Sequence, residues 1–441
     1  VAAALGGVGE GQAGQAGPAG AGRRATGRAA LSGRERTVRG ESVAGTQVEV
    51  DVGPVAHGGV CVARHEGRAV FVRHALPGER VRIQVTEGGT EDRFWRADAV
   101  EVLTPSPDRV DPPCPWAGPG KCGGCDWQHV AVPAQRSLKA AVVAEQLERL
   151  AGLSWPVDVE PVPGDADGLD WRTRVTYAVD DAGRAGLRAH RSHTVVPIDF
   201  CRIAHADARL GDERWPAGSS VEVVAANTGE RQVLVDGDVV EGRRHVVEEA
   251  AGRRWRVSGG GFWQVHPGAA NTLVDAVLDG VQARPGETAL DLYCGVGLFA
   301  GALAPLVGSA GTVVGVEGSR QAIADARRNL HDVPWVRLLA GRVDRVLAGT
   351  GPAGVPVAAD VVVLDPPREG AKAAVVRRIA ERRPRVVAYV ACDPAALARD
   401  LATFAGLGYR LTGLRAFDLF PMTHHVECVA ILHPAGEVDY P

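Results

Sequence analysis

The C-terminal part of the chain carries four apolar runs, and each ends in a turn rich in reactive or polar residues. "TALDLYCGVGLFA" turns at Tyr293, Cys294, Gly295 and Gly297, and "GTVVGVEGS" closes on Glu317. "ADVVVLDPPREG" closes on Asp365, and "RVVAYVACDP" on Cys392 and Asp393. Helix-like stretches such as "RQAIADARRNL" and "AALARDLATF" lie between them. Apolar runs that alternate with helices dictate a parallel sheet covered on both faces. In open sheets of this kind, ligands bind beyond the carboxyl ends of the strands. All four turns fall on that edge.

The turns also restrict the ligand. A dinucleotide site normally shows Gly-x-Gly-x-x-Gly, with the following helix facing a pyrophosphate. Here Asp291 stands just ahead of the glycines, where it would repel phosphate. Glu317, an acid ending the second strand, suits a pair of ribose hydroxyls. Together they suit S-adenosylmethionine, whose amino-acid portion is cationic or neutral, and so predict a methyltransferase. Enzymes that methylate exocyclic amines place an aromatic residue after the Pro-Pro pair. Arg368 stands there instead and argues against amine methylation. Cys392 is delivered into an Asp-Pro pair at a strand end, a placement unlike that of an ordinary core thiol.

Residues 1–44, rich in Ala, Gly and Arg, cannot build a core and are expected to be a disordered tail. Residues 45–103 read as short alternating strands with Gly and Pro-Gly breaks, which predicts a small OB-like barrel. Arg64, His65, Arg68, Arg73, His74, Arg93, Phe94, Trp95 and Arg96 would give that barrel a basic and aromatic RNA-binding surface. Residues 104–258 read as a central mixed α+β domain, mainly antiparallel, and residues 259–441 as the α/β domain. A formal net charge of −4 gives no global basic field, so any nucleic-acid face must be local. The apolar runs are too short to span a membrane, no export signal is legible, and the eight cysteines are scattered; a cytoplasmic protein is expected. By spacing alone, the Cys-x7-Cys-x2-Cys set of Cys114, Cys122 and Cys125 suits either zinc or an iron–sulfur cluster.

The motifs together resemble the bacterial RNA uracil-5-methyltransferases over nearly all of the chain after residue 45. "GGGFWQVHPGAAN" resembles the family segment whose glutamine, here Gln264, contacts the cofactor. "LDLYCGVGLFA", "GVEGS" and "LDPPREG" are similar to its cofactor motifs and imply that Tyr293, Glu317 and Asp365 contact S-adenosylmethionine, with Arg342 as a further candidate. "YVACDPAALARD" resembles the nucleophile motif and implies Cys392 as the nucleophile. "FDLFPMTHHVECV" resembles the base motif and implies Glu427 as the base. The N-terminal barrel resembles the TRAM domain of the ribosomal RNA members. Cys114, Cys122 and Cys125, with Cys201 in "PIDFCRIAHA", resemble their 4Fe–4S ligands. Three positions depart from the family pattern: Leu298 and Asp393 where Asn is usual, and His424 where Gly is common.

The fold implied is a class I, Rossmann-like methyltransferase domain with an N-terminal TRAM barrel and a central α+β domain. The activity implied is methylation of uridine carbon 5 in RNA, 23S ribosomal RNA before transfer RNA, by a monomer. Carbon 5 is a poor nucleophile, so a thiolate must first add at carbon 6 and a base must later remove the carbon 5 proton. Two rivals remain. A cytosine carbon-5 methyltransferase would carry a Pro-Cys pair in its catalytic domain, and here Pro113-Cys114 lies upstream of it. A non-catalytic RNA-binding iron–sulfur protein has no use for Cys392 with Glu427.

Overall fold

The computed structural model describes residues 38–349 and 354–436, so most of the expected tail lies outside the described residues. Residues 38–44 lie along the barrel, with the Val43 amide donating to the Gly88 carbonyl at 3.0 Å.

Strands β1 (Gln47–Val55), β2 (Cys61–His65), β3 (Arg68–Arg73), β4 (Arg80–Glu87) and β5 (Phe94–Thr104) form a closed barrel in the order β1-β2-β3-β5-β4. The period of two explains it. In β4, Val81, Ile83 and Val85 point inward while Arg80, Arg82 and Gln84 face out. Two residues expected on the RNA-binding surface are withdrawn from it, Trp95 fully and His74 in part. Trp95 is 6% exposed and packs in the barrel core, and burial pushes the His74 imidazole down to about 3.

Helix α1 (Val132–Ala151) follows the cysteine-rich loop and leads to β6 (Val159–Pro161). Strands β7 (Arg174–Val179), β8 (Ala185–Arg188), β9 (Val195–Pro197), β10 (Ser220–Ala225), β11 (Arg231–Val235) and β12 (Asp238–Glu241) form an antiparallel sheet ordered β12-β11-β10-β7-β8-β9. A hairpin of β13 (His245–Ala250) and β14 (Arg253–Ser258) completes the central region. Its basic stretch is partly structural, because Arg174 is buried against Glu248 at 2.9 Å.

The remaining elements alternate: α2 (Ala269–Val281), β15 (Thr288–Leu292), α3 (Leu298–Val307), β16 (Thr312–Glu317), α4 (Arg320–Asn329), β17 (Val336–Ala340), α5 (Val343–Ala348), β18 (Val361–Leu364), α6 (Lys372–Ala380), β19 (Val386–Ala391), α7 (Pro394–Ala405), β20 (Tyr409–Asp418) and β21 (Glu427–Pro434). They build an eight-stranded sheet ordered β17-β16-β15-β18-β19-β21-β20-β6, in which β21 runs antiparallel to its neighbours. Both faces are buried. Val386, Ala388 and Val390 of β19 enter one core while Val387, Tyr389 and Ala391 enter the other. The edge strand β6 comes from the central region, so that region helps complete the C-terminal sheet. Among the described residues no helix is long and apolar enough to cross a membrane.

Candidate active site at the carboxyl edge of the sheet

Cys392 is half-buried in the two-residue step between β19 and α7. The Asp-Pro pair behind it is a helix start. Asp393 is the N-cap, its Oδ1 accepting from the Ala396 amide at 2.7 Å, and Pro394 fills the first turn, where a missing amide costs nothing. The helix therefore begins abruptly and holds the thiol at the sheet edge.

The antiparallel strand β21 supplies the partner. Ala391 pairs with Cys428, so continuing the register by one residue sets Cys392 opposite Glu427. Asp365 follows β18, the parallel neighbour of β19. This small region is acidic and poorly solvated. Burial, then the nearby Glu427 and Asp365 charges, push the Cys392 thiol up to about 12; Arg368 acts in the opposite direction. Burial likewise raises Asp365 to about 7, and burial with the Asp365 charge drives Glu427 well above the usual carboxylate range. Arg368 is the cation that favours the ionised forms of both Cys392 and Glu427.

The loop carrying Arg368 is fixed from behind. Asp400 Oδ2 accepts from the Ala371 amide at 2.8 Å and from the Tyr389 hydroxyl at 2.7 Å. Gly370 has φ +80, and a Cβ there would lie 2.7 Å from the same oxygen, so only glycine fits. The guanidinium also donates to His425 Nε2 at 3.3 Å.

The residues expected to contact the cofactor lie beside this group, with Asp365 and Glu317 both close enough to act on Asp291. Tyr293 has φ +65 and begins the turn after β15. Glu317 closes β16, its carboxylate accepting from the Gly295 amide at 3.0 Å and the Ser319 amide at 2.6 Å. Nothing stands within 4 Å of where a Gly295 Cβ would be, so the turn borders open space. Asp291 has a role that the sequence did not disclose. It is fully buried and caps α3 from a distance, Oδ2 accepting from the Ala300 amide at 2.7 Å. Burial raises it to about 7, and its Oδ1 is buried with no partner among the described residues. An unmatched acceptor, a held Glu317 carboxylate and an open glycine turn fit an S-adenosyl ligand. Gln264 is half-buried after β14, next to Trp263, which packs on Trp255 with ring centroids 6.3 Å apart. The Arg342 guanidinium donates to Asp344 at 2.8 Å and lies near enough to Tyr293 to act on its hydroxyl.

The departures from the family pattern are compensated. Leu298 is 8% exposed and packs in the core at the start of α3. His424 Nδ1 meets Asp126 Oδ2 at 2.6 Å. Asp393 Oδ2 meets His57 Nε2 at 2.9 Å, a partner from the barrel. His57, Asp126 and Asp400 were not legible as functional neighbours, because each acts across a long sequence separation.

Cys114, Cys122 and Cys125 lie in the loop before α1, and Cys201 lies beyond β9. The thiols oppose one another's ionisation. Cys122 is pushed up to about 11 by burial, with Cys201 and Cys114 adding to it, and Cys125 is raised by burial and by the other three. Gly123 packs so closely on the His190 backbone that a Cβ would come within 2.6 Å. Among the described residues, however, no three Cys, His, Asp or Glu side chains are arranged to hold a metal ion. The four thiols are thus gathered, with the donor chemistry of an iron–sulfur site, but no ligand shell is closed around a point.

The sequence profile of the tRNA (uracil-5-)-methyltransferases matches residues 206–434, and the TRAM domain profile matches residues 41–100. The chain is 53% identical over 437 residues to an RNA methyltransferase of Streptomyces coelicolor, covering 90% of this chain and 94% of the relative. It is 41% identical over 421 residues to an RNA methyltransferase of Bifidobacterium longum, covering 87% and 96% of the two chains. The fold is similar to the crystal structure of Pyrococcus abyssi tRNA (uracil-54, C5)-methyltransferase in complex with S-adenosyl-L-homocysteine. That likeness has a TM-score of 0.66 and 23% identity, covering 87% of this chain and 100% of the other.

Proposed function

The chain belongs to the tRNA (uracil-5-)-methyltransferase family, and from that premise we propose that it methylates a uridine of 23S ribosomal RNA through a covalent adduct with Cys392. The observation that carries the reading is the β19–β21 register, which sets Cys392 opposite Glu427 beside Asp365. A paired uridine must first leave the stack to reach this edge. The Cys392 thiolate then adds at carbon 6, which makes carbon 5 nucleophilic. S-adenosylmethionine, when bound, supplies the electrophilic methyl group. Glu427 removes the carbon 5 proton, and elimination restores the free thiol. Arg368 favours both ionised groups, and Asp365 bounds the pocket between base and cofactor. Gln264, Tyr293 and Glu317 hold the cofactor.

The barrel and the gathered cysteines favour ribosomal over transfer RNA, since they add binding surface beyond the catalytic sheet. The four cysteines hold a 4Fe–4S cluster in this reading, with a structural or RNA-binding role, because methyl transfer moves no electron through it. The protein acts as a cytoplasmic monomer.

Anaerobically purified protein is mixed with cofactor and 5-fluorouridine-substituted ribosomal or transfer RNA, then run on a denaturing gel. Fluorine cannot leave as a proton, so a covalent RNA adduct is expected with ribosomal transcripts and is absent in Cys392→Ala. An adduct confined to transfer RNA would reassign the substrate. No adduct on either RNA sinks the mechanism. Iron and acid-labile sulfide assayed on the same preparation test the cluster, and their absence removes it.

A further inference from the structure

The β1–β2 loop of the barrel, residues 56–60, rests on the catalytic edge of the sheet. Trp127 Nε1 donates to the Gly59 carbonyl at 3.0 Å, and a Cβ on Gly59 would come within 2.4 Å of the His424 Cβ. The loop is therefore held between the cysteine-rich segment and the turn before Glu427. Its only titratable side chain, His57, reaches Asp393, the residue after the nucleophile.

Capping does not explain why residue 393 is charged. A cap needs one acceptor oxygen, which asparagine or serine supplies as well as aspartate. A carboxylate one residue from the thiol carries a penalty, since Asp393 is among the charges that keep Cys392 protonated. His57 lies 2.9 Å away, and its protonated form cancels that charge.

We propose that His57 is a positioning residue of the methyl-transfer site, pairing with Asp393 so that the barrel is tied to the start of α7 and the carboxylate beside Cys392 is neutralised. The inference rests on the reading of Cys392 as nucleophile. The surroundings favour the pairing. His57 faces Asp393 and Arg399 of α7 and Glu145 of α1, and the bond to Asp393 raises its pKa above the ordinary value. Cys392 faces Glu427 of β21, Asp365 after β18, Arg368 and Asp393. The charged form of the pair is complete below the raised His57 pKa and is lost as pH climbs through it. With side chains 42% and 24% exposed, the pair is screened by salt.

The test is the pH profile of Cys392 alkylation by iodoacetamide, read by peptide mapping on the full chain without RNA. His57→Gln leaves the carboxylate unbalanced and is expected to slow Cys392 alkylation about threefold or more below the raised His57 pKa, the deficit closing as pH climbs through it. Asp393→Asn and the double variant should react at least as fast as wild type, and the His57→Gln deficit should shrink at high salt. If both single variants lower the melting temperature yet leave the alkylation profiles superimposed on wild type, the contact is only structural and the proposal falls. Should His57→Gln fail to fold, Asp393→Asn decides alone. By NMR the His57 pKa then drops toward its ordinary value, and no drop overturns the pairing. Wild-type protein that shows the alkylation pattern but forms no adduct with 5-fluorouridine RNA would remove Cys392 as nucleophile while leaving the pairing supported.

Discussion

At the scale of single residues, the proposed chemistry divides between a thiol and a carboxylate brought close by two neighbouring strands. Glu427 is 4% exposed, and its pKa is raised by burial and by Asp365. A base must be ionised to act, so turnover is expected to rise with pH as Glu427 passes through its raised pKa. In Glu427→Gln, Cys392 still adds to the uridine, but nothing takes the carbon 5 proton. A covalent complex with ordinary RNA and cofactor should therefore accumulate, with turnover down about 100-fold or more. The measurement is a denaturing gel beside a methyl-release assay, and wild-type turnover in the variant would exclude Glu427 as base. Cys392 stands out in the sequence because it ends an apolar strand, whereas Glu427 is implied only by the resemblance of its motif. Asp291 was read there as a ligand-facing acid, and the structure gives it a capping duty that spans the turn.

Among the elements, α1 is the least self-explanatory. It has little apolar periodicity, yet its Lys139 is fully buried and its Nζ lies 2.5 Å from Asp418 Oδ1 at the end of β20. A second donor bond runs from Nζ to the Phe420 carbonyl at 3.0 Å. This pair clamps the central region's helix to the strand that leads toward Glu427. A buried pair adds little over an apolar substitute, but removal of one partner strands the other charge. Lys139→Met is thus expected to destabilise the protein by about 3 kcal/mol, and adding Asp418→Asn should restore part of the loss. Denaturant unfolding of the two variants checks this, and an unchanged midpoint in Lys139→Met would show that Asp418 finds water. A lysine read off a helix is ordinarily a solvated one, so only the packing of α1 against the sheet could reveal its burial.

For the whole molecule, the barrel, the cysteine-rich loop and the turn before Glu427 meet around neutral histidines. Burial pushes His74 down to about 3, His129 to about 4 and His425 to about 3. In each case the folded pKa lies below the unfolded one, so the unfolded chain binds more protons between the two values. The stability these groups contribute is complete above the ordinary value near 6.5 and is lost as pH falls toward about 3. Relative to the intrinsic rate at each pH, amide exchange around residues 74–79 and 125–130 should accelerate at about pH 5, ahead of the α/β sheet. Uniform acceleration across the chain would refute a local acid-sensitive contact.

The sequence by itself determined the parallel sheet, the barrel, the edge where chemistry is found, and the family. The first three follow from local patterning, that is apolar runs, a period of two and turns with reactive residues, whereas the family rests on the resemblance of its ordered motifs. Tertiary structure alone decided which residues support them. Asp400 behind the Arg368 loop, His57 against Asp393, Asp126 against His424 and Lys139 against Asp418 are all joined by hydrogen bonds between distant parts of the chain. Such contacts leave no periodic trace, because they depend on where whole elements pack rather than on what lies beside them in sequence.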